Sequence, residues 1–139
     1  QETPQNLELL PFVRDVLSGF EQTIPLTTVD ADDLRLALAP GALQRVLVNV
    51  ISNALQHAEG VRVHVDGRRI EISDAGPGIP VEARDAVFEP FYRLDRSRNV
   101  HTGGSGLGLA IVRQLCQAQG WRIRIEESTE GGAKFVLDL

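Results

Sequence analysis

Asn49 and Asn53 stand one helical turn apart in the run NVISNALQHA, among Val, Ile and Leu. Residues four apart project from the same face of a helix, and Gln56 and His57 extend that face by another turn. An amide oxygen is a hard, neutral ligand, suited to a small divalent cation or to a hydrogen-bonding partner. A polar stripe facing solvent, or amides satisfied by neighbouring backbone, can have the same spacing. The flanking Val48, Val50, Ile51, Ala54 and Leu55 leave little helix face for solvent, however. A buried amide without a partner costs ~1–3 kcal/mol, and a bound ligand or ion would supply the partner.

Three further stretches carry chemistry-bearing residues. In DAGPGIP, Asp74 to Pro80, a carboxylate at a strand end can accept a hydrogen bond from an exocyclic amine. Gly76 and Gly78 let the backbone approach a flat ring. Taken alone, the segment reads as a plain Gly-Pro turn closing a strand. In GGSGLGLAI, Gly103 to Ile111, glycines open a helix, where exposed N–H groups and the helix dipole favour phosphate. The spacing of Gly104, Gly106 and Gly108 is not that of the dinucleotide fingerprint. The only lysine, Lys134, lies outside this loop, which excludes a Walker P-loop. In FEPFYRLDRSR, Arg93, Arg96 and Arg98 could neutralise phosphate oxygens, and Phe88 and Phe91 could pin one end of a lid. Each arginine taken singly reads as a solvated surface residue.

The elements that position these residues follow from periodicity. Leu43, Val46, Leu47, Val50 and Ala54 make one face of a helix that Pro40 opens and Gly60 ends. An earlier helix carries Phe12, Val13, Val16, Leu17 and Phe20 after a short entry strand. Two short β-like runs flank the acidic turn near Asp30. VRVHVDGRRIEISD alternates about Asp66-Gly67 as a hairpin. VEARDAVF reads as a short helical piece, and EPFYRLDRSRNVHTGGSG as a long loop, a length that favours a functional lid. A helix ending at Gly120 and two strands joined by Gly131-Gly132 close the chain. This order implies an α+β fold: a two-layer α/β sandwich, with three helices over one face of a mixed, mostly antiparallel sheet.

The 139 residues amount to one domain, 1–139, with a net charge of −5 that gives no bulk attraction to nucleic acid or an acidic membrane. Cys116 is the single cysteine, so no internal disulfide or zinc cluster forms. No apolar run reaches the ~20 residues of a membrane span. The absence of Met leads to the expectation of a piece excised from a longer protein.

Taken together and in this order, the four stretches resemble the ATP-binding catalytic domain of sensor histidine kinases, within the superfamily shared with DNA gyrase, mismatch-repair ATPases and heat-shock chaperone ATPases. NVISNALQHA resembles the N box, DAGPGIP the G1 box, FEPFYR the F box and GGSGLGLAI the G2 box of a Bergerat-type fold. The resemblance implies that Asn53 coordinates Mg²⁺ on the nucleotide phosphates. It implies that Asp74 binds the adenine amino group of ATP, with Gly76, Gly78 and Ile79 shaping the pocket. Gly104, Gly106, Leu107 and Gly108 would bring N–H groups to the phosphates, and Arg93 would contact the phosphate tail.

Hydrolysing and serine-kinase relatives resemble each other in carrying Glu where Asn49 stands. An amide is no general base, and a neutral histidine acceptor needs none, so Asn49 favours transfer to histidine. Three positions depart from the usual pattern. Gln56 replaces a frequent Lys, His57 stands at a position for an aromatic or His at the nucleotide's edge, and Ala133 replaces a frequent Thr or Ser. None of His57, His64 and His101 resembles the family's acceptor. The implied partners are a histidine-containing dimerisation domain of the same parent and a downstream response regulator, with no nucleic acid and no direct membrane contact. The resemblance further implies a monomeric fragment of a homodimeric, cytoplasm-facing kinase anchored in the bacterial inner membrane. The alternatives are a non-catalytic nucleotide-sensing module and an ATP-hydrolysing mechanical ATPase.

Overall fold

The computed structural model describes residues 2–92 and 108–139. Within them a five-stranded sheet is ordered β2-β4-β5-β7-β6, from β2 (Leu26–Val29), β4 (Arg62–Asp66), β5 (Arg69–Ser73), β6 (Arg122–Glu127) and β7 (Ala133–Asp138). β2 runs parallel to β4, and every other pairing is antiparallel. The mixed, mostly antiparallel sheet is thus as the sequence implies. The two runs flanking the acidic turn take different partners. β2 joins the large sheet, whereas β3 (Arg35–Leu38) pairs with β1 (Gln5–Glu8) in a separate two-stranded ribbon.

Alternation along the strands makes one face apolar. Val63, Ile72, Phe135 and Ile125 form one cross-strand row, and Val65, Ile70, Leu137 and Ile123 the next. These rows share one core with α1 (Leu9–Ser18), α2 (Pro40–His57) and α3 (Gly108–Gln119). Leu43, Val46, Leu47, Val50 and Ala54 are all buried, which is the stripe that the helical spacing predicts. The opposite sheet face is charged. Arg69 and Arg124 both reach Asp138, at 2.7 and 3.0 Å, and Arg124 also bonds Glu126 at 2.7 Å. Hydrogen bonding to Arg69 holds the Asp138 carboxyl below the ordinary carboxylate range. Val136 lies among these stems and is fully buried although it belongs to the charged face.

Local chemistry explains the boundaries. The β4–β5 turn is the two-residue link Gly67-Arg68, with Gly67 at φ +57, the first central position of a tight hairpin. VEARDAVF forms two separate 3-10 turns, Val81–Ala83 and Ala86–Phe88, because so short a segment lacks the length to propagate an α-helix.

The start of α2 is capped from a distance. Ala39, at the cap position, has no side-chain acceptor, and Pro40 has no N–H to satisfy. Glu2 fills the role: its two carboxylate oxygens accept hydrogen bonds from the N–H groups of Gly41 (2.7 Å) and Ala42 (3.0 Å). A Cβ at position 41 would lie 3.0 Å from both oxygens, so glycine there makes room for the carboxylate. Glu2→Ala is expected to lower stability by about 1 kcal/mol, the usual value of a helix cap, measured by urea denaturation. An unchanged midpoint would show that solvent caps α2 equally well.

Candidate functional site

α2, the loop after β5, the β6–β7 turn and the start of α3 converge at one end of the sheet. Asp74 lies at the centre, 5% exposed, immediately after β5. Its N–H continues the ladder to the Ala133 carbonyl at 2.9 Å. Its Oδ1 accepts two backbone hydrogen bonds, from Gly76 N at 2.9 Å and Ala133 N at 3.1 Å. No described residue donates to Oδ2. The result is a buried carboxylate whose first oxygen is saturated by backbone N–H groups and whose second takes no donor from the described residues.

Two glycines in the β6–β7 turn allow this arrangement, for different reasons. Gly131 takes φ +88, which bulky residues rarely adopt. Gly132 makes room: a Cβ there would lie 2.3 Å from both the carbonyl oxygen and Oδ1 of Asp74. The sequence reads the pair only as a turn, since nothing in it shows that the turn folds against a carboxylate 58 residues earlier. A Cβ on Gly78 would meet the Gly131 carbonyl at 2.9 Å, and one on Gly76 would meet the Ala58 side chain at 2.5 Å. The DAGPGIP loop is therefore wedged between the β6–β7 turn and the end of α2. Ile79 packs half-buried against the core, and its carbonyl accepts a hydrogen bond from Arg84 Nε at 3.0 Å.

Asn49 and Asn53 are both half-exposed on α2. They differ in what they touch. Asn49 Nδ2 donates to the Arg45 carbonyl one turn back, at 2.9 Å, while its Oδ1 faces the first residue of α3, where a Cβ on Gly108 would lie 3.3 Å away. Backbone thus satisfies part of this amide. Asn53 makes no side-chain hydrogen bond to another described residue. One oxygen donor without a carboxylate cage fits a cation such as Mg²⁺, which keeps water and phosphate as its remaining ligands. Among the described residues no cluster of three or more His, Cys, Asp or Glu could hold a metal ion. Gln56 and His57 are exposed at the end of α2.

Phe88 is buried, 6.2 Å from Phe135 in an edge-on arrangement, and the Arg113 guanidinium lies 4.7 Å over its ring. It pins this segment to the sheet and to α3, as the sequence suggests. Phe91 does not: at φ +66 the chain turns there, and the side chain is 68% exposed. Arg93, Arg96, Arg98, Gly104, Gly106 and Leu107, together with the expected lid, lie outside the described residues. Cys116 is buried, and burial pushes its thiol up to about 12, which rules out a thiolate nucleophile at neutral pH.

The comparisons with known proteins agree with one another. The sequence family described as histidine kinase-, DNA gyrase B-, and HSP90-like ATPase matches residues 39–139. The sensor histidine kinase CpxA of Escherichia coli K12 is 42% identical over 106 residues, which cover 72% of this chain and 23% of CpxA. The chain thus spans about a quarter of that relative's length. The catalytic domain of the histidine kinase ThkA superposes with a TM-score of 0.82 at 23% identity, covering 98% of this chain and 94% of that one. Full-length ShkA in complex with AMPPNP superposes with a TM-score of 0.73 at 27% identity, covering 99% of this chain and 31% of ShkA.

Gly132→Ala is expected to displace Asp74. The added methyl should cost about 1–3 kcal/mol in stability and weaken nucleotide binding by at least about tenfold, read by denaturation and by calorimetry with ATP. Wild-type affinity in this variant would mean that the approach of the turn to Asp74 does not matter for binding.

Proposed function

Because the chain belongs to the histidine kinase-, DNA gyrase B-, and HSP90-like ATPase family and is homologous to sensor histidine kinase catalytic domains, we propose that it binds Mg-ATP and donates the γ-phosphoryl group to a histidine on a separate dimerisation domain. The observation that carries this reading is Asp74. A buried carboxylate with Oδ1 held by two backbone N–H groups is oriented to accept through Oδ2. Adenine presents an amino donor where guanine presents a carbonyl oxygen, so the carboxylate selects ATP over GTP. The AMPPNP complex of ShkA, a relative of the same fold, supports a nucleotide ligand.

Gly76, Gly78 and Ile79 place backbone and one apolar side chain beside the ring, with His57 at its edge. Asn53 offers its amide oxygen to Mg²⁺, which when bound neutralises charge between the phosphates. We assign Gly104, Gly106, Leu107 and Gly108 to the phosphate tail, which backbone N–H groups at a helix head favour. Arg93 supplies a guanidinium to the same oxygens. Asn49 bonds its own helix through Nδ2 and has no carboxylate with which to activate water. That suits an acceptor such as neutral histidine, whose ring nitrogen is already nucleophilic. The parent would be a homodimeric, membrane-anchored sensor with this domain in the cytoplasm, passing phosphate on to a response regulator.

The reading is tested by mixing the chain with a phosphoacceptor domain, labelled ATP and Mg²⁺. Acid-labile, base-stable label on the acceptor is expected. Tight ATP binding without transfer would point to a nucleotide-sensing module, and steady ATP turnover by the chain alone to a hydrolase. Asp74→Asn should weaken ATP binding by about 10–100-fold, the equivalent of one charged hydrogen bond. Unchanged affinity would remove Asp74 from adenine recognition. Asn53→Ala should abolish the Mg²⁺ dependence of ATP binding, and its persistence would assign the metal to other ligands.

A further inference from the structure

Ser128 stands just after β6, 4% exposed, with its hydroxyl donating to the Asp74 main-chain carbonyl at 2.6 Å. It is one of three buried polar side chains among the described residues, with Ser73 and Asp74 itself. Two backbone bonds hold it at the base of the β6–β7 turn: Ser128 N to the Gly132 carbonyl at 2.8 Å and Gly131 N to the Ser128 carbonyl at 3.0 Å. The carbonyl it binds belongs to the peptide plane that joins Asp74 to Ala75. The N–H of that plane donates to the Glu59 carbonyl at 2.8 Å, just past the end of α2. One plane is therefore pinned at both edges, by the β6–β7 turn on one side and by the α2 exit on the other.

That plane governs the carboxylate. Rotating it swings the following residue, and Gly76 N is one of the two donors on Asp74 Oδ1. Without the Ser128 hydroxyl, the Asp74 carbonyl would sit at the buried base of the turn with no donor from the described residues. A buried acceptor without a donor drives local rearrangement. Ala133 contributes only its main chain to Asp74, and the hydroxyl in this corner comes from Ser128.

We propose that Ser128 is a positioning residue for base recognition: its hydroxyl locks the Asp74–Ala75 peptide plane, so that Gly76 N and Ala133 N hold Oδ1 and Oδ2 meets the exocyclic amine of adenine. This rests on the adenine reading of Asp74, and the two can be separated by experiment. Affinity for ATP is compared with affinity for purine riboside triphosphate, which lacks the amine, in the wild-type chain, Ser128→Ala and Ser128→Cys. Cysteine fills the serine volume with a weak donor, so it controls for a cavity or a folding defect in the alanine variant.

The wild-type chain is expected to prefer ATP by about tenfold or more, the value of one good hydrogen bond to a charged group. Both variants are expected to lose most of that preference through weaker ATP binding, with affinity for the amine-free nucleotide changed by less than about twofold. Equal loss for both nucleotides, or a retained preference, would overturn the role and leave Ser128 as structural support for the turn. A wild-type chain that does not distinguish the two nucleotides would overturn the adenine reading, and the proposal with it.

Discussion

A single carboxylate fixes the end of the sheet where the elements meet. Asp74 accepts from Gly76 and Ala133 through one side-chain oxygen, continues the ladder through its N–H, and accepts from Ser128 through its carbonyl. Strand β5, the β6–β7 turn and the loop that leans on α2 are thereby tied to one residue. Burying a polar group this deeply is costly unless hydrogen bonds compensate it. Backbone supplies both donors on Oδ1, so the arrangement depends on how closely the chain can approach. Gly132 and Gly76 provide that approach, each at a point where a single methyl would collide with its neighbour.

Around this point the two layers have separate tasks. The apolar rows of β4, β5, β7 and β6 and the buried stripe of α2 form the core. The amides of α2 stand beside that stripe, where the helix rises from the core toward the site. Asn49 bonds its own helix and faces the head of α3, whereas Asn53 makes no side-chain hydrogen bond to another described residue. The charged outer face of the sheet takes no part in the site. Its ion pairs are mostly exposed, and such pairs contribute little individually. They do shield Val136 from water.

Much of this was legible in the sequence because it depends on local periodicity. The α2 stripe, the hairpin at Gly67 and the strand pair around Gly131-Gly132 each follow from residues close together in the chain. So does the placement of Asp74 at a strand end. What escaped depends on long-range approach. The cap on α2 comes from a glutamate 39 residues away, the pairing of β1 with β3 separates two runs that look equivalent, and the Ser128 hydroxyl reaches a carbonyl 54 residues earlier. The sequence offers Phe91 beside Phe88 as a pin for one end of a lid, but the chain turns there at a positive φ and the side chain is exposed. Single-chain spacing carries no record of such contacts, because each is set by how two distant segments are packed.

The contact between Glu2 and Gly41 also has a historical side. The carboxylate occupies the space that a side chain at position 41 would take, and Ala39 has no side-chain acceptor to offer the first turn of α2. Neither position can drift alone without leaving an N–H bare or expelling the cap. Descendants of this sequence that lose the acid should therefore tolerate bulk at 41 and gain Ser, Thr or Asp at 39. The two ends of that bond would then be inherited as a unit, although 38 residues of unrelated chain lie between them.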